Sequence, residues 1–264
     1  MGKMAMAEEI PGVPRVRAVE RAMAILRAFT AAERHLPLSE LARRAGLDKS
    51  TARRLLHTLS ADEFVIFDKA NQTYSLGPGI LLMVPAVDFG SRLRDVSAPI
   101  LARVAERTGA TSFLWTYFRG HALCLDRVKA RDLNIDTLWS AVGTMIDLNS
   151  AGGPRALLAY LPAEERARAL SAPLTRYTER TVTDPGALEK AAAEIRRRGW
   201  ELAVNDYAHG LSGLGAPILD RKGVLAGSIS ITTLTPHLVG AKGRPRHLQI
   251  VLAAAAEIGA RLDL

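Results

Sequence analysis

From Arg17 to Thr30 the apolar residues Val19, Ala22, Met23, Leu26 and Phe29 recur at steps of three and four, which places them on one helix face. A second, shorter helix is predicted over Leu38 to Ala45, with Leu38, Leu41 and Ala42 inward and Gly46 as its C-terminal stop. After the turn Gly46-Leu47-Asp48, the Asp48 carboxylate is placed to accept from the orphan N–H groups that open a third helix, Lys49 to Ser60. Ala52, Leu55, Leu56 and Leu59 form the stripe this helix buries, and the opposite face carries Lys49, Ser50, Arg53, Arg54 and His57. The pattern then changes to period two. Phe64-Val65-Ile66-Phe67 and Thr73-Tyr74-Ser75-Leu76 read as strands joined by a turn over Asp68 to Gln72, a hairpin wing. Gly77-Pro78-Gly79 breaks the pattern and marks a domain boundary.

Beyond that break a helix over Arg92 to Arg107 leads into strands near Thr111 to Phe118, Ala122 to Arg127, Leu214 to Leu219 and Val224 to Thr232. Helices are predicted at Gly153 to Leu161, Glu164 to Leu170, Pro185 to Arg198 and Pro245 to Leu262. The order implies an α+β chain whose second domain is a largely antiparallel sheet covered by helices. The expected divisions are a winged helix-turn-helix over 15–78, a linker helix region over 79–97, and a larger domain over 98–264 that binds a ligand and oligomerises.

Composition narrows the class. A chain of 264 residues has room for two cores, and 48% apolar with 23% charged residues is an ordinary globular balance. The formal charge of +8 favours a polyanionic partner. One cysteine, Cys124, excludes an internal disulfide framework and a multi-cysteine zinc site. Met1 to Pro14 lacks the apolar stretch of a secretory signal, and no apolar run reaches bilayer-spanning length, so a cytoplasmic protein without membrane association is expected. No cofactor and no metal is expected.

Two short helices joined by a tight turn and followed by a wing present the second helix to the DNA major groove. Arg53 and Arg54 can make bidentate bonds to guanine edges or charge-assisted bonds to phosphate. Lys49, Ser50 and Thr51 sit at the helix N-terminus, where backbone N–H groups also favour phosphate, and His57 extends the same face. The run Leu38-Ser39-Glu40-Leu41-Ala42-Arg43-Arg44-Ala45-Gly46-Leu47-Asp48-Lys49-Ser50-Thr51-Ala52-Arg53-Arg54-Leu55-Leu56 resembles the helix-turn-helix of the IclR family of bacterial regulators. Val19-Glu20-Arg21-Ala22 and Tyr74-Ser75-Leu76-Gly77-Pro78 resemble it too. Leu125-Asp126-Arg127-Val128, Arg155 through Pro162, Thr181 through Pro185, Arg197-Arg198-Gly199-Trp200 and Ala216 through Asp220 then follow in the family's order.

That resemblance implies a C-terminal GAF-like effector domain, a homodimer or homotetramer, and control of a catabolic operon by a small organic acid, in many relatives an aromatic one. An oligomer also follows from energetics. Two or three base contacts at about 1 to 3 kcal/mol each barely reach the roughly 4 to 10 kcal/mol that separates specific from non-specific binding.

Asn149-Ser150-Ala151-Gly152-Gly153-Pro154 is small and glycine-rich and turns into a helix, so its N–H groups can hold a carboxylate. Ser228, Ser230 and Thr232 alternate with Ile229 and Ile231, putting three hydroxyls on one strand face. The resemblance implies Gly152, Gly153, Ser230 and Thr232 at the polar end of an effector site, and Leu138, Ile146 and Leu211 as its apolar wall. Ser212-Gly213 stands where many relatives have Arg-Cys, and Ala203 where they have a polar acidic residue, which suggests a roomier pocket at Gly213. Trp115, Trp139 and Met145 are candidates to stack on a ring.

No catalytic constellation stands out. Gly210-Leu211-Ser212-Gly213-Leu214 lacks the final glycine of a nucleophile elbow, and Gly152-Gly153 lacks the lysine and hydroxyl of a phosphate loop. Asn205, Asp206 and His209 read better as a ligand-gating loop than as a hydrolytic cluster. The expectation is a non-enzyme; the alternative is a small-molecule hydrolase or isomerase with an attached winged helix.

Overall fold

The structure is a computed structural model that describes residues 14–129 and 141–262. The chain divides into two units, Met1–Val87 and Asp88–Leu264. The expected linker is therefore shared between them, residues 79–87 with the first and 88–97 with the second.

The first unit opens with α1 (Arg17–Arg27), followed by β1 (Leu36–Pro37), α2 (Leu38–Arg44) and α3 (Lys49–Ala61). The wing is β2 (Val65–Asp68) and β3 (Thr73–Leu76), and β3 lies between β1 and β2 in an antiparallel sheet. Ile25, Phe29, Leu36, Leu41, Ala42, Ala52, Leu56 and Val65 form the core. Ile25 of α1 packs there with Leu26 and with Ala28 and Phe29 just beyond the helix, so of the expected stripe Leu26 and Phe29 are inward, whereas Val19 and Met23 point outward at 58% and 39% exposure. Both sets satisfy a helical repeat, and Ile25 belongs to the one that packs. Asp48 caps α3 as expected, accepting from Thr51 N at 2.8 Å. Gly77-Pro78-Gly79 does more than break the pattern. Pro78 starts α4 (Pro78–Met83), at the first helical position where its missing N–H costs nothing.

The second unit begins with α5 (Ser91–Thr108), then β4 (Thr111–Phe118), β5 (His121–Val128), β6 (Met145–Asp147), α6 (Gly152–Tyr160), α7 (Ala163–Ser171) and α8 (Pro185–Arg198). It closes with β7 (Glu201–Val204), β8 (Leu211–Leu219), β9 (Leu225–Leu234), α9 (Thr235–Leu238) and α10 (Leu248–Leu262). Six strands pair antiparallel in the order β6-β5-β4-β9-β8-β7. Strand alternation sorts the two cores. Leu114, Leu214, Ala216, Ile218, Ile229 and Ile231 face α5 and α10. Phe113 and Trp115 face the opposite way, into a cluster with Ile146, Leu148 and Leu157. Leu93 is buried in the first of these cores, so the start of α5 belongs to this unit rather than to a linker.

Candidate DNA-reading face and effector cavity

In α3 the side chains of Lys49, Ser50, Arg53, Arg54 and His57 are exposed, while Ala52 and Leu56 are buried. The expected face is therefore assembled on one side of the helix. Thr51 is half-buried, and its hydroxyl donates to Asp48 Oδ2 at 2.7 Å while Ser50 Oγ donates to Asp48 Oδ1 at 2.6 Å. Those two hydroxyls thus serve the helix cap, and with the Thr51 amide they hold the Asp48 carboxyl well below its usual range. An open hollow of about 580 Å³ lies along this face, lined by Thr51, Arg53, Arg54 and His57 and by Arg21 of α1. Arg21 was not singled out by pattern reading because it lies a helix away in sequence.

Behind α3, α2 is fixed by charge. Arg44 donates to Glu33 at 2.7 Å, to Glu40 at 2.7 Å and to the Ala28 carbonyl at 3.2 Å, joining the end of α1 to α2. Bonds from Arg43 and Arg44 hold the Glu40 carboxyl at about 2.

The cavity of the second unit lies on the α6 face of the sheet and is lined by Phe113, Trp115, Ile146, Ala151, Asp206, Tyr207, Leu211, Ser212, Gly213, Ser230 and Thr232. The sheet register makes it. Ser230 lies opposite Phe113 on β4 and Gly215 on β8, and Thr232 lies opposite Gly213. On this face β8 presents glycines, so the α6 backbone can approach directly. A Cβ at Gly215 would stand 2.3 Å from the Gly152 carbonyl oxygen, and one at Gly153 would stand 2.4 Å from the Trp115 ring.

Five of the expected effector residues, Ile146, Leu211, Gly213, Ser230 and Thr232, line this cavity. Gly152 and Gly153 are buried behind it, where they seat α6 on the sheet. Leu138 and Trp139 lie outside the described residues. The three hydroxyls on this face of β9 have separate duties: Ser228 Oγ donates to the Gly153 carbonyl at 2.8 Å, and Ser230 Oγ accepts from Trp115 Nε1 at 3.0 Å. Thr232 is left at the cavity wall. The enclosed space is about 20 Å³, room for about one water, so any organic ligand must widen it.

Asp206 fills the position expected of a ligand carboxylate. Ala151 N, at the entrance to α6, donates to both of its carboxylate oxygens at 3.2 Å, and Arg155 Nη1 lies 3.6 Å away. Arg155 also pairs with Glu201 at 3.0 Å, and Arg198 pairs with Glu201 from the other side. Burial raises both carboxyls above their ordinary values, and the arginines oppose that rise. Ala151 has φ 59, a left-handed backbone that is strained in a non-glycine residue. Tyr207 stacks on Tyr177 with ring centroids 4.4 Å apart, and burial pushes its hydroxyl up to about 12. Cys124 is buried, with its thiol pushed up to about 12 by desolvation. Its neighbour in sequence His121 is instead paired with Asp147 at 3.3 Å.

Residues 18–69 match the IclR helix-turn-helix domain, and residues 90–260 match the bacterial transcriptional regulator IclR C-terminal domain. The chain belongs to the IclR family of bacterial transcriptional regulators. It is 31% identical over 217 residues to the glycerol operon regulatory protein of Streptomyces coelicolor, covering 82% of this chain and 84% of that one. To the HTH-type transcriptional regulator BhcR of Paracoccus denitrificans it is 31% identical over 228 residues, 86% of this chain and 81% of the relative. The fold matches that of an IclR homologue from Microbacterium hydrocarbonoxydans complexed with 4-hydroxybenzoate, with a TM-score of 0.79, 24% identity, and coverage of 93% and 99%. Within this IclR-family chain, pattern reading named Ala151 only within the glycine-rich segment, missed Phe113 and Tyr207 as cavity residues, and treated Asp206 only as part of a gating loop. No helix among the described residues is long and apolar enough to cross a membrane.

Proposed function

We propose that the protein binds an operator of a catabolic operon as a cytoplasmic homodimer or homotetramer, and that a small organic acid, aromatic in character, sets its affinity for DNA. The DNA-binding residues are Lys49, Arg53, Arg54 and His57, with Ser50 and Thr51 shaping the helix start. The effector enters the cavity of the GAF-like C-terminal domain, its ring between Phe113, Trp115 and Tyr207 and its polar end toward Thr232, Ser230 and the start of α6.

The observation that carries this reading is the composition of the cavity wall: three aromatic rings, with the hydroxyl-bearing side chains Ser230 and Thr232 of β9, around the entrance to a buried helix. Aromatic faces suit a planar ligand, and hydroxyls in an apolar surround orient its polar group. A protein of the same fold, the IclR homologue of Microbacterium hydrocarbonoxydans, is complexed with 4-hydroxybenzoate, an acid that has both a ring and a polar end. Exposed Val16, Val19 and Met23 on and before α1, with Leu81, Leu82 and Met83 of α4, support assembly through the first unit.

The test is operator binding measured against a panel of aromatic and short aliphatic acids, with the ligand recovered afterwards. The expected result is that an aromatic acid changes DNA affinity and is recovered unchanged. Conversion of the ligand favours the hydrolase or isomerase reading, and a response confined to neutral or cationic compounds removes the acid.

A further inference from the structure

Asp206 is the one carboxylate in the cavity wall among the described residues. Its position is built. The Ala151 amide bonds both of its oxygens, Arg155 stands beside it from the first turn of α6, and Thr181 Oγ1 donates to its backbone carbonyl at 2.5 Å. The preceding residue is held as well, by Thr178 Oγ1 donating to the Asn205 carbonyl at 2.7 Å. The donors that an entering carboxylate would use are therefore already bonded to an anion that belongs to the protein.

We propose that Asp206 is the specificity-determining residue of this cavity: it competes with the effector's carboxylate for the Ala151 amide and Arg155, and an acidic effector binds by displacing it. This rests on the reading of the effector as an acid. Repulsion favours exchange over coexistence: two carboxylates at one amide and one guanidinium would repel at short range in a water-poor site. The positive-φ backbone of Ala151 holds its amide aimed at this one spot, so a single carboxylate can take it at a time. Glu201 and Arg198 complete the charged set facing Asp206 and Arg155, and Tyr207 stays neutral beside them. With Asp206 withdrawn, Arg155 keeps Glu201 and gains the ligand's charge. Displacement also loosens the turn from Asn205 to Gly210 that leads into β8, which gives the cavity a way to widen.

Asp206→Asn keeps the size of the side chain and an oxygen for the Ala151 amide, and removes the competing charge. The full-length wild type and Asp206→Asn are titrated calorimetrically with 4-hydroxybenzoate, benzoate and 4-hydroxybenzamide. The variant is expected to bind both acids about tenfold more tightly, the scale of a hydrogen bond to a charged group, with the amide's affinity unchanged. Equal acid affinities in the two proteins, or an equal gain for the amide, overturn the assignment of Asp206 and leave the acid reading standing. Absence of acid binding to either protein overturns the acid reading and this assignment with it. A measurement on the wild type alone covers a variant that does not fold. On addition of 4-hydroxybenzoate, hydrogen exchange in peptides spanning residues 201–210 is expected to become faster; slower exchange there overturns displacement.

Discussion

Trp115 Nε1 donates to Ser230 Oγ across 3.0 Å, and the two side chains together close the cavity beneath Gly153. This bond crosses from β4 to β9, adjacent strands of the sheet, at a position where both residues are buried. The serine hydroxyl both satisfies the buried indole N–H and holds the ring in place.

Ser230→Ala is therefore expected to destabilise the second unit by about 1 to 3 kcal/mol, the cost of leaving a buried donor unpaired. Denaturant unfolding measures it, and tryptophan emission reports the freed ring. An unchanged midpoint would mean that the indole finds another acceptor.

Removal of either guanidinium at the centre of the exposed α3 face tests the DNA-reading assignment. Arg53→Ala and Arg54→Ala should leave the fold intact, since both side chains lie outside the core around Ala52 and Leu56. At least one should weaken specific binding by about 1 to 3 kcal/mol and relax selectivity. If both bind the selected operator as the wild type does, the recognition face lies elsewhere.

Glu40 gives a prediction with a sign. Its carboxyl is lowered from near 4.5 to about 2 by Arg43 and Arg44. A carboxyl lowered in the folded state contributes stability that is full above its unfolded pKa and is lost as pH falls through the folded value. Glu40→Gln should thus lower the melting temperature of the first unit near neutrality. The gap from wild type should narrow as pH falls from about 6 toward about 2. A gap that stays constant over that range would show that the arginines stabilise α2 without the charge on Glu40.

The helix-turn-helix was legible because its determinants are local. Asp48 lies three residues from the amide it caps, and the Ala52, Leu56 stripe is one helix repeat. The face of α1 was harder, because Val19 and Met23 fit the same spacing as Leu26 and Phe29, and only packing shows that the buried side centres on Ile25. Strands β6 and β7, three and four residues long, are too short for alternation to declare itself. The cavity was half legible. Its hydroxyl strand shows in the alternation of β9, but the role of Asp206 depends on Ala151, fifty-five residues away in sequence, and on the close approach of α6 to the glycines of β8. The glycine pair that suggested an anion site serves that approach.

The central claim is that the α3 face binds DNA through charge and reads its sequence. Its most direct test is binding of the full-length protein to a near-palindromic duplex from beside its own gene, measured at a series of salt concentrations against a scrambled duplex. If about six phosphates are neutralised, the log-log slope of affinity against salt should be near −5, and the palindrome should bind more tightly at every salt concentration. A slope near zero, or equal affinity for the scrambled duplex, would contradict the account.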